Sequence, residues 1–255
     1  MRDENSFQAL RTLTAVGIAL LLGLGITLLV SQRPLEAFGY FLGGPFTSVR
    51  RFGAFLEAAI PLTFCGLAVS LVFSASQFNI GADGQFFIGA IATTAAGIYL
   101  RLPPVVHALA ALGCGVAAGA LAGFIPGFLK SRWGASELVS SLMLNYVLFR
   151  LGMYFLTYKM RDPAVGALVS LELKPSSYLG QFLPPTRLHT GIFVLALTVV
   201  FCYYFLYRSK WGYEIRMVGM NRAFAEYSGI SVASVILYSQ VISGGIAGLA
   251  GAVEM

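Results

Sequence analysis

The chain has 255 residues, of which 57% are hydrophobic and 11% charged, with a mean hydropathy of +0.78 and a formal net charge of +6 from 17 Lys+Arg against 11 Asp+Glu. A soluble domain carries about 25% charged residues, so this composition argues against an ordinary soluble enzyme, a disordered tail and a disulfide scaffold, and for a membrane protein crossing several times. The basic excess sits in short gaps between apolar runs, as loop charges of membrane proteins do, and not as a nucleic-acid-binding patch.

The first apolar run lies between Arg11 and Arg33 and holds 21 uncharged residues. As a helix it covers about 30 Å, one hydrocarbon core. Arg2 and Arg11 are balanced by Asp3 and Glu4, and the run ends in Ser31-Gln32-Arg33-Pro34. It therefore reads as a retained span and not as a cleavable signal. Taken in order, the apolar runs predict seven spans, at 12–30, 54–75, 85–100, 105–129, 137–158, 189–207 and 234–254. The fifth is interrupted only by Arg150. The expected fold is an all-α, polytopic transmembrane helical bundle forming one domain over 1–255. The chain stops at Gly251-Ala252-Val253-Glu254-Met255, directly after its last span, and reads as cut short within a longer protein.

Loop charge does not orient the spans. With the N-terminus inside, inner segments carry Arg2, Arg11, Lys130, Arg132, Arg208, Lys210, Arg216 and Arg222. Outer segments carry Arg33, Arg50, Arg51, Arg101, Lys159, Arg161, Lys174 and Arg187, an equal number.

Gly115, Gly119, Gly123 and Gly127 recur every four residues in the fourth span, and Gly244, Gly248 and Ala252 repeat the pattern in the seventh. Such small-residue faces let helix backbones approach closely in a membrane. The other reading is that glycine is simply common in membrane helices.

Three segments carry polar chemistry. In Gln77-Phe78-Asn79-Ile80-Gly81-Ala82-Asp83-Gly84-Gln85, two apolar runs meet with almost no loop between them. Asn79, Asp83 and Gln85 can serve freed backbone groups, either in a helix break lining a solute path or in a tight turn with Asp83 capping the next helix. Next, Glu137, Ser141 and Asn145 recur every four residues and form one polar stripe, suited to lining a path or to interhelical hydrogen bonds. Arg150 falls away from that stripe, toward a neighbouring helix or the outer interface. In the third segment, 208–230, Asn221 is a suitable N-cap and Gly229 a suitable C′ residue for a two-turn helix at Arg222–Ser228. So short a helix needs the bundle, lipid headgroups or a partner protein to hold it.

There is no G-x-x-x-x-G-K-[ST] loop, His-Glu-x-x-His or Gly-x-Ser-x-Gly. His107 and His189 have no metal-ligand pairing, so no metal site is expected. Cys65, Cys114 and Cys202 lie singly in apolar runs. Nothing here reads as a catalytic centre.

Together the three segments resemble a known family. Phe78-Asn79-Ile80-Gly81-Ala82-Asp83-Gly84-Gln85 is similar to the Phe-Asn-Ile-Gly-Ala-Glu-Gly-Gln signature of ABC-importer permease subunits, in the simple-sugar and nucleoside branch related to branched-chain amino acid permeases. Leu142-Met143-Leu144-Asn145-Tyr146 resembles a stretch of the nucleoside-type members, and 212–230 resembles their cytoplasmic loop. Asp83 stands where the family usually has Glu, Arg222 where Pro follows the loop Asn, and Phe224 where Ala is usual.

The resemblance implies an N-terminus inside, a bacterial plasma (inner) membrane location and roughly three further spans, about ten in all. It implies a second permease subunit, an extracytoplasmic substrate-binding protein and an ATP-binding subunit. ATP and Mg would be held by that partner, so this chain would hold no cofactor and would not itself be the enzyme. The 208–234 loop would meet the ATPase through Gly212, Tyr213, Glu214, Arg216, Gly219, Asn221, Arg222, Ala225, Glu226 and Gly229. Asn79, Asp83, Gln85, Ser141 and Asn145 would lie near the path of a nucleoside or simple sugar. The competing class is a secondary transporter or channel driven by an ion gradient, whose buried relay would have to come from Glu57, Arg150 and Asp83.

Overall fold

A computed structural model describes residues 2–178, 180, 186 and 188–255, with the side chains of 2–10, 12 and 13 left aside. Arg187 and the side chains of Arg2, Asp3 and Glu4, all used in the charge count, lie outside the described residues. The helices are α1 (Arg2–Val30), α2 (Pro34–Gly43), α3 (Val49–Phe73), α4 (Ala82–Tyr99), α5 (Pro104–Trp133), α6 (Glu137–Tyr158), α7 (Gly191–Arg208), α8 (Lys210–Met220), α9 (Arg222–Tyr227) and α10 (Val232–Val253). Among the described residues there is no strand beyond an isolated bridge between Arg161 and Ser170.

The seven expected spans fall on α1, α3, α4, α5, α6, α7 and α10. Of these, α3, α5, α6, α7 and α10 are long and apolar enough to cross a membrane. In α1 the apolar part is Thr14–Val30. Two helices, α2 and α8, are additions to the expected set.

The helix ends follow local chemistry. Pro34 and Pro104 open α2 and α5, where a missing N–H costs nothing. Gly134, at φ +66°, ends α5, with Lys130 and Arg132 in the last turn opposite the helix dipole.

The chain divides into two compact units, Met1–Phe55 and Leu56–Met255, and α3 begins in one and ends in the other. In the first unit, Arg51 donates to Thr47 Oγ1 at 2.7 Å and stacks 5.8 Å from the Tyr40 ring centroid. In the second, α10 packs most extensively on α5 and then on α4, and α6 lies against α4. Ile60, Phe64, Ala68 and Leu71 of α3 join Phe205, Ile215, Val218, Ala225, Val235, Ile246 and Ala247 in the core.

The glycine ladder is the α5–α10 contact. A methyl on Gly119 would strike the Gly244 carbonyl, and one on Gly123 the Gln240 carbonyl. A methyl on Gly244 would strike the Gly119 carbonyl, and one on Gly248 the Gly115 carbonyl. Gly251 abuts the Phe86 carbonyl of α4 in the same way. Backbone therefore lies on backbone, as a membrane interior rewards. Large apolar side chains such as Leu121, Val147, Leu197 and Phe201 are exposed, as lipid contact requires.

Candidate functional site

The segment between α3 and α4 is a helix break with an unusual residue in it. Gln77 N donates to Val72 O at 3.2 Å and Ser76 N to Phe73 O at 2.9 Å, which is a Schellman ending to α3. Ser76 occupies the left-handed position at φ +50°, where glycine is usual. Its Oγ donates to the Gly219 carbonyl at 2.7 Å. Gly81 then precedes α4, with Asn79 Oδ1 accepting from its N–H at 3.0 Å.

Asn79 and Gln85 are buried and pair through their amides, Asn79 Nδ2 donating to Gln85 Oε1 at 2.9 Å and to Ser243 Oγ at 3.1 Å. Gln77 Nε2 donates to Ser239 Oγ at 3.2 Å, and Gln240 Nε2 to Phe78 O at 3.2 Å. Ser141, fully buried on α6, accepts from Ile80 N at 3.2 Å. Asn145 lies against Gly84, where a methyl would strike its side-chain Oδ1 and press on its backbone. Four of the five expected path residues, Asn79, Gln85, Ser141 and Asn145, thus come together around the break. Asp83 does not join them. It is exposed in the first turn of α4, and Gly81, not Asp83, is the N-cap. The acidic side chain there still complements the helix N-terminus.

The stripe on α6 continues to Glu137, whose carboxylate receives Lys130 Nζ at 2.6 Å, with Arg222 adding its charge nearby. Arg150 is exposed, on the outward face. The ion pairs among the described residues are Lys130–Glu137, Lys210–Glu214 and Arg33–Glu36, and none of them joins Glu57, Asp83 or Arg150 into a relay. Cavities of about 560 Å³ (among α5, α7 and α10) and about 470 Å³ (between α4 and α6) are lined mainly by apolar side chains and touch none of the path candidates.

The third segment folds as two helices. Ser209 caps α8 by accepting from Gly212 N at 3.0 Å, and a side chain at Gly212 would strike the Phe205 and Leu206 carbonyls. Gly212, Ile215 and Val218 form the buried face. Glu214 Oε2 lies 3.2 Å from the Tyr238 hydroxyl of α10, and Arg216 sits 5.2 Å from the Tyr207 ring centroid. Tyr213 is exposed. A side chain on Gly219 would strike the Ser74 carbonyl. Asn221 Oδ1 caps α9 by accepting from Phe224 N at 3.0 Å, and Gly229 closes the far end at φ +82°. Ala225, 0% exposed, anchors α9 in the core, while Phe224 at 53% and Tyr227 at 93% project outward beside exposed Arg222 and Glu226. The short, doubly capped α9 is thus held to the core by one small residue and displays two aromatic rings.

The family described as branched-chain amino acid transport system, permease component, matches residues 52–255. This chain belongs to that family. The permease is 35% identical over 243 residues to a guanosine ABC transporter permease protein of Bacillus subtilis, covering 93% of this chain and 70% of the relative. It is 30% identical over 232 residues to a glucose ABC transporter permease protein of Haloferax volcanii, covering 87% of this chain and 61% of the relative. It is 26% identical over 260 residues to a nucleoside ABC transporter permease protein of Lactococcus lactis, covering 98% and 71% respectively. No solved structure matches it. The chain is thus a multi-pass membrane permease component of an ABC importer, and a gradient-driven transporter or channel is not favoured.

At the opposite end of the permease from α9, His107 is fully buried, its Nδ1 2.7 Å from Ser176 Oγ and its Nε2 3.1 Å from Ala96 O. It clasps a loop to α4. Sequence reasoning misses Ser239, Gln240 and Ser243. Their signal is a polar patch at i, i+1 and i+4 inside an otherwise apolar span.

Proposed function

We propose that this permease carries a nucleoside across the plasma membrane of a bacterium, with simple sugars as the alternative solute class. An ATP-binding subunit, which binds ATP and Mg, grips α8 and α9 from the cytoplasm, a second permease subunit completes the path, and an extracytoplasmic binding protein delivers the solute. In this reading α1 and α4 also cross the membrane, making seven crossings in this chain. Asn79, Asp83, Gln85, Ser141 and Asn145 lie near the path, and ATP is hydrolysed in the partner.

The observation that carries the reading is α9 itself. Its caps fix a rigid unit, Ala225 ties it to the bundle, and Phe224 and Tyr227 are left for a groove in a soluble partner. The nucleoside assignment is supported by two of the three relatives above, a guanosine and a nucleoside permease. The test is the double variant Glu226→Lys with Gly229→Pro. Proline cannot adopt the positive φ at 229, and the charge reversal alters the exposed face. The subunit should still insert in the membrane while ATP hydrolysis no longer drives uptake; normal uptake by the variant would overturn the assignment of α9.

A further inference from the structure

We propose that the break between α3 and α4 is the element through which α8 acts on α10, with Ser76 and Gln240 as its positioning residues. The inference rests on the importer reading above and concerns how movement enters the bundle.

On one side the break is seated on α8. The Gly219 carbonyl accepts the Ser76 hydroxyl at 2.7 Å, and Gly219 is pressed so closely on Ser74 that no side chain fits. On the other side, the three residues that follow are each bonded to α10: Gln77 to Ser239 at 3.2 Å, the Phe78 carbonyl to Gln240 at 3.2 Å, and Asn79 to Ser243 at 3.1 Å. Any shift of the Gly219 end of α8 must displace Ser76 and, within three residues, the bonds that hold α10. The other end of α8 is fixed to α10 directly, through Tyr238. Beside the core packing of Val218, the Gly219 end thus has a hydrogen-bonded route to α10 by way of the break.

Two features set this contact apart from ordinary packing. Ser76 adopts a left-handed backbone that glycine would adopt with less strain, and it brings a hydroxyl that glycine lacks. Gln240 is fully buried, and its Oε1 is without a hydrogen-bond partner among the described residues, while its Nε2 is shared between the Phe78 carbonyl and Gln77 Oε1. A buried amide oxygen left unmet is costly, which marks Gln240 as a residue that packing alone does not call for. Gly123 of α5 abuts the Gln240 backbone carbonyl and Gly127 its Cβ. Gln240 thus stands where the break, α10 and α5 meet.

The test uses the full importer, the permease with its ATP-binding subunit and binding protein, in proteoliposomes with guanosine as probe. The readout is guanosine imported per ATP hydrolysed, together with the melting temperature of the complex. Ser76→Gly removes the hydroxyl and relieves the backbone, so melting should hold or rise. Gln240→Met keeps side-chain length and removes the donor. Each should lower the import-to-hydrolysis ratio by at least about fivefold while hydrolysis itself continues. A native ratio in Ser76→Gly overturns the inference, and that variant decides alone if Gln240→Met does not assemble. If the native assembly imports glucose and not guanosine, only the nucleoside assignment falls and the ratio is read with glucose; if ATP drives uptake of neither, the importer reading fails and this inference with it.

Discussion

Asn221 and Gly229 do their work within a few residues of themselves, which is why both caps of α9 are legible in the sequence alone. An N-cap needs only a short polar side chain and a C′ residue only freedom at positive φ. Asn221→Ala should cost α9 about 1 kcal/mol, read as faster hydrogen exchange across Arg222–Tyr227 with the rest of the bundle unchanged. Lys130 and Glu137 are a different case. They lie on separate helices and are largely shielded from solvent, at 19% and 11% side-chain exposure. Lys130→Met leaves the carboxylate without its direct partner and should lower stability by about 1–3 kcal/mol, seen as a lower melting temperature in detergent. The partners of Asn79 and Gln77 are not legible, because Ser239 and Ser243 lie more than 160 positions along the chain and only tertiary packing brings them near. Asp83 misses the capping position for a subtler reason. Gly81 takes that position, and the acidic residue falls inside the helix.

At the scale of elements, hydrophobic run length locates the helices that become spans, and α6 begins and ends where the run predicts. It does not find α8, since Lys210, Glu214 and Arg216 interrupt every apolar window there. The signal is periodic instead: Gly212, Ile215 and Val218 fall on one helical face after a serine cap. Helix α2 is too short to stand out as a run, and Glu36 lies in its first turn. The four-residue glycine spacing does identify a contact face, and the structure adds which helices share it. A paired substitution tests this. Gly113, which has open space beside it, should accept alanine with a gain of about 0.5–1 kcal/mol. Gly119→Ala drives a methyl into the Gly244 carbonyl and should cost about 1–3 kcal/mol or more. Thermal melting of the two variants in parallel separates helix propensity from packing.

Taken whole, the Leu56–Met255 unit has two chemically distinct ends. One gathers the break, the Lys130–Glu137 pair and helices α8 and α9; the other gathers the Tyr99–Lys159 and Lys174–Leu100 bonds and the His107 clasp. Loop charge alone does not say which end faces the cytoplasm. The importer reading does, and it makes a direct prediction. In intact cells a membrane-impermeant maleimide should label Arg161→Cys and spare Glu226→Cys, and inside-out vesicles should reverse the pattern. The backbone seam between α5 and α10 has a further consequence. Where carbonyls rest on glycine Cα atoms there is no crevice wide enough for a water molecule, let alone a ribose ring. On the importer reading, cargo therefore travels along some other wall, and two helices locked this closely should shift together as one stiff spar.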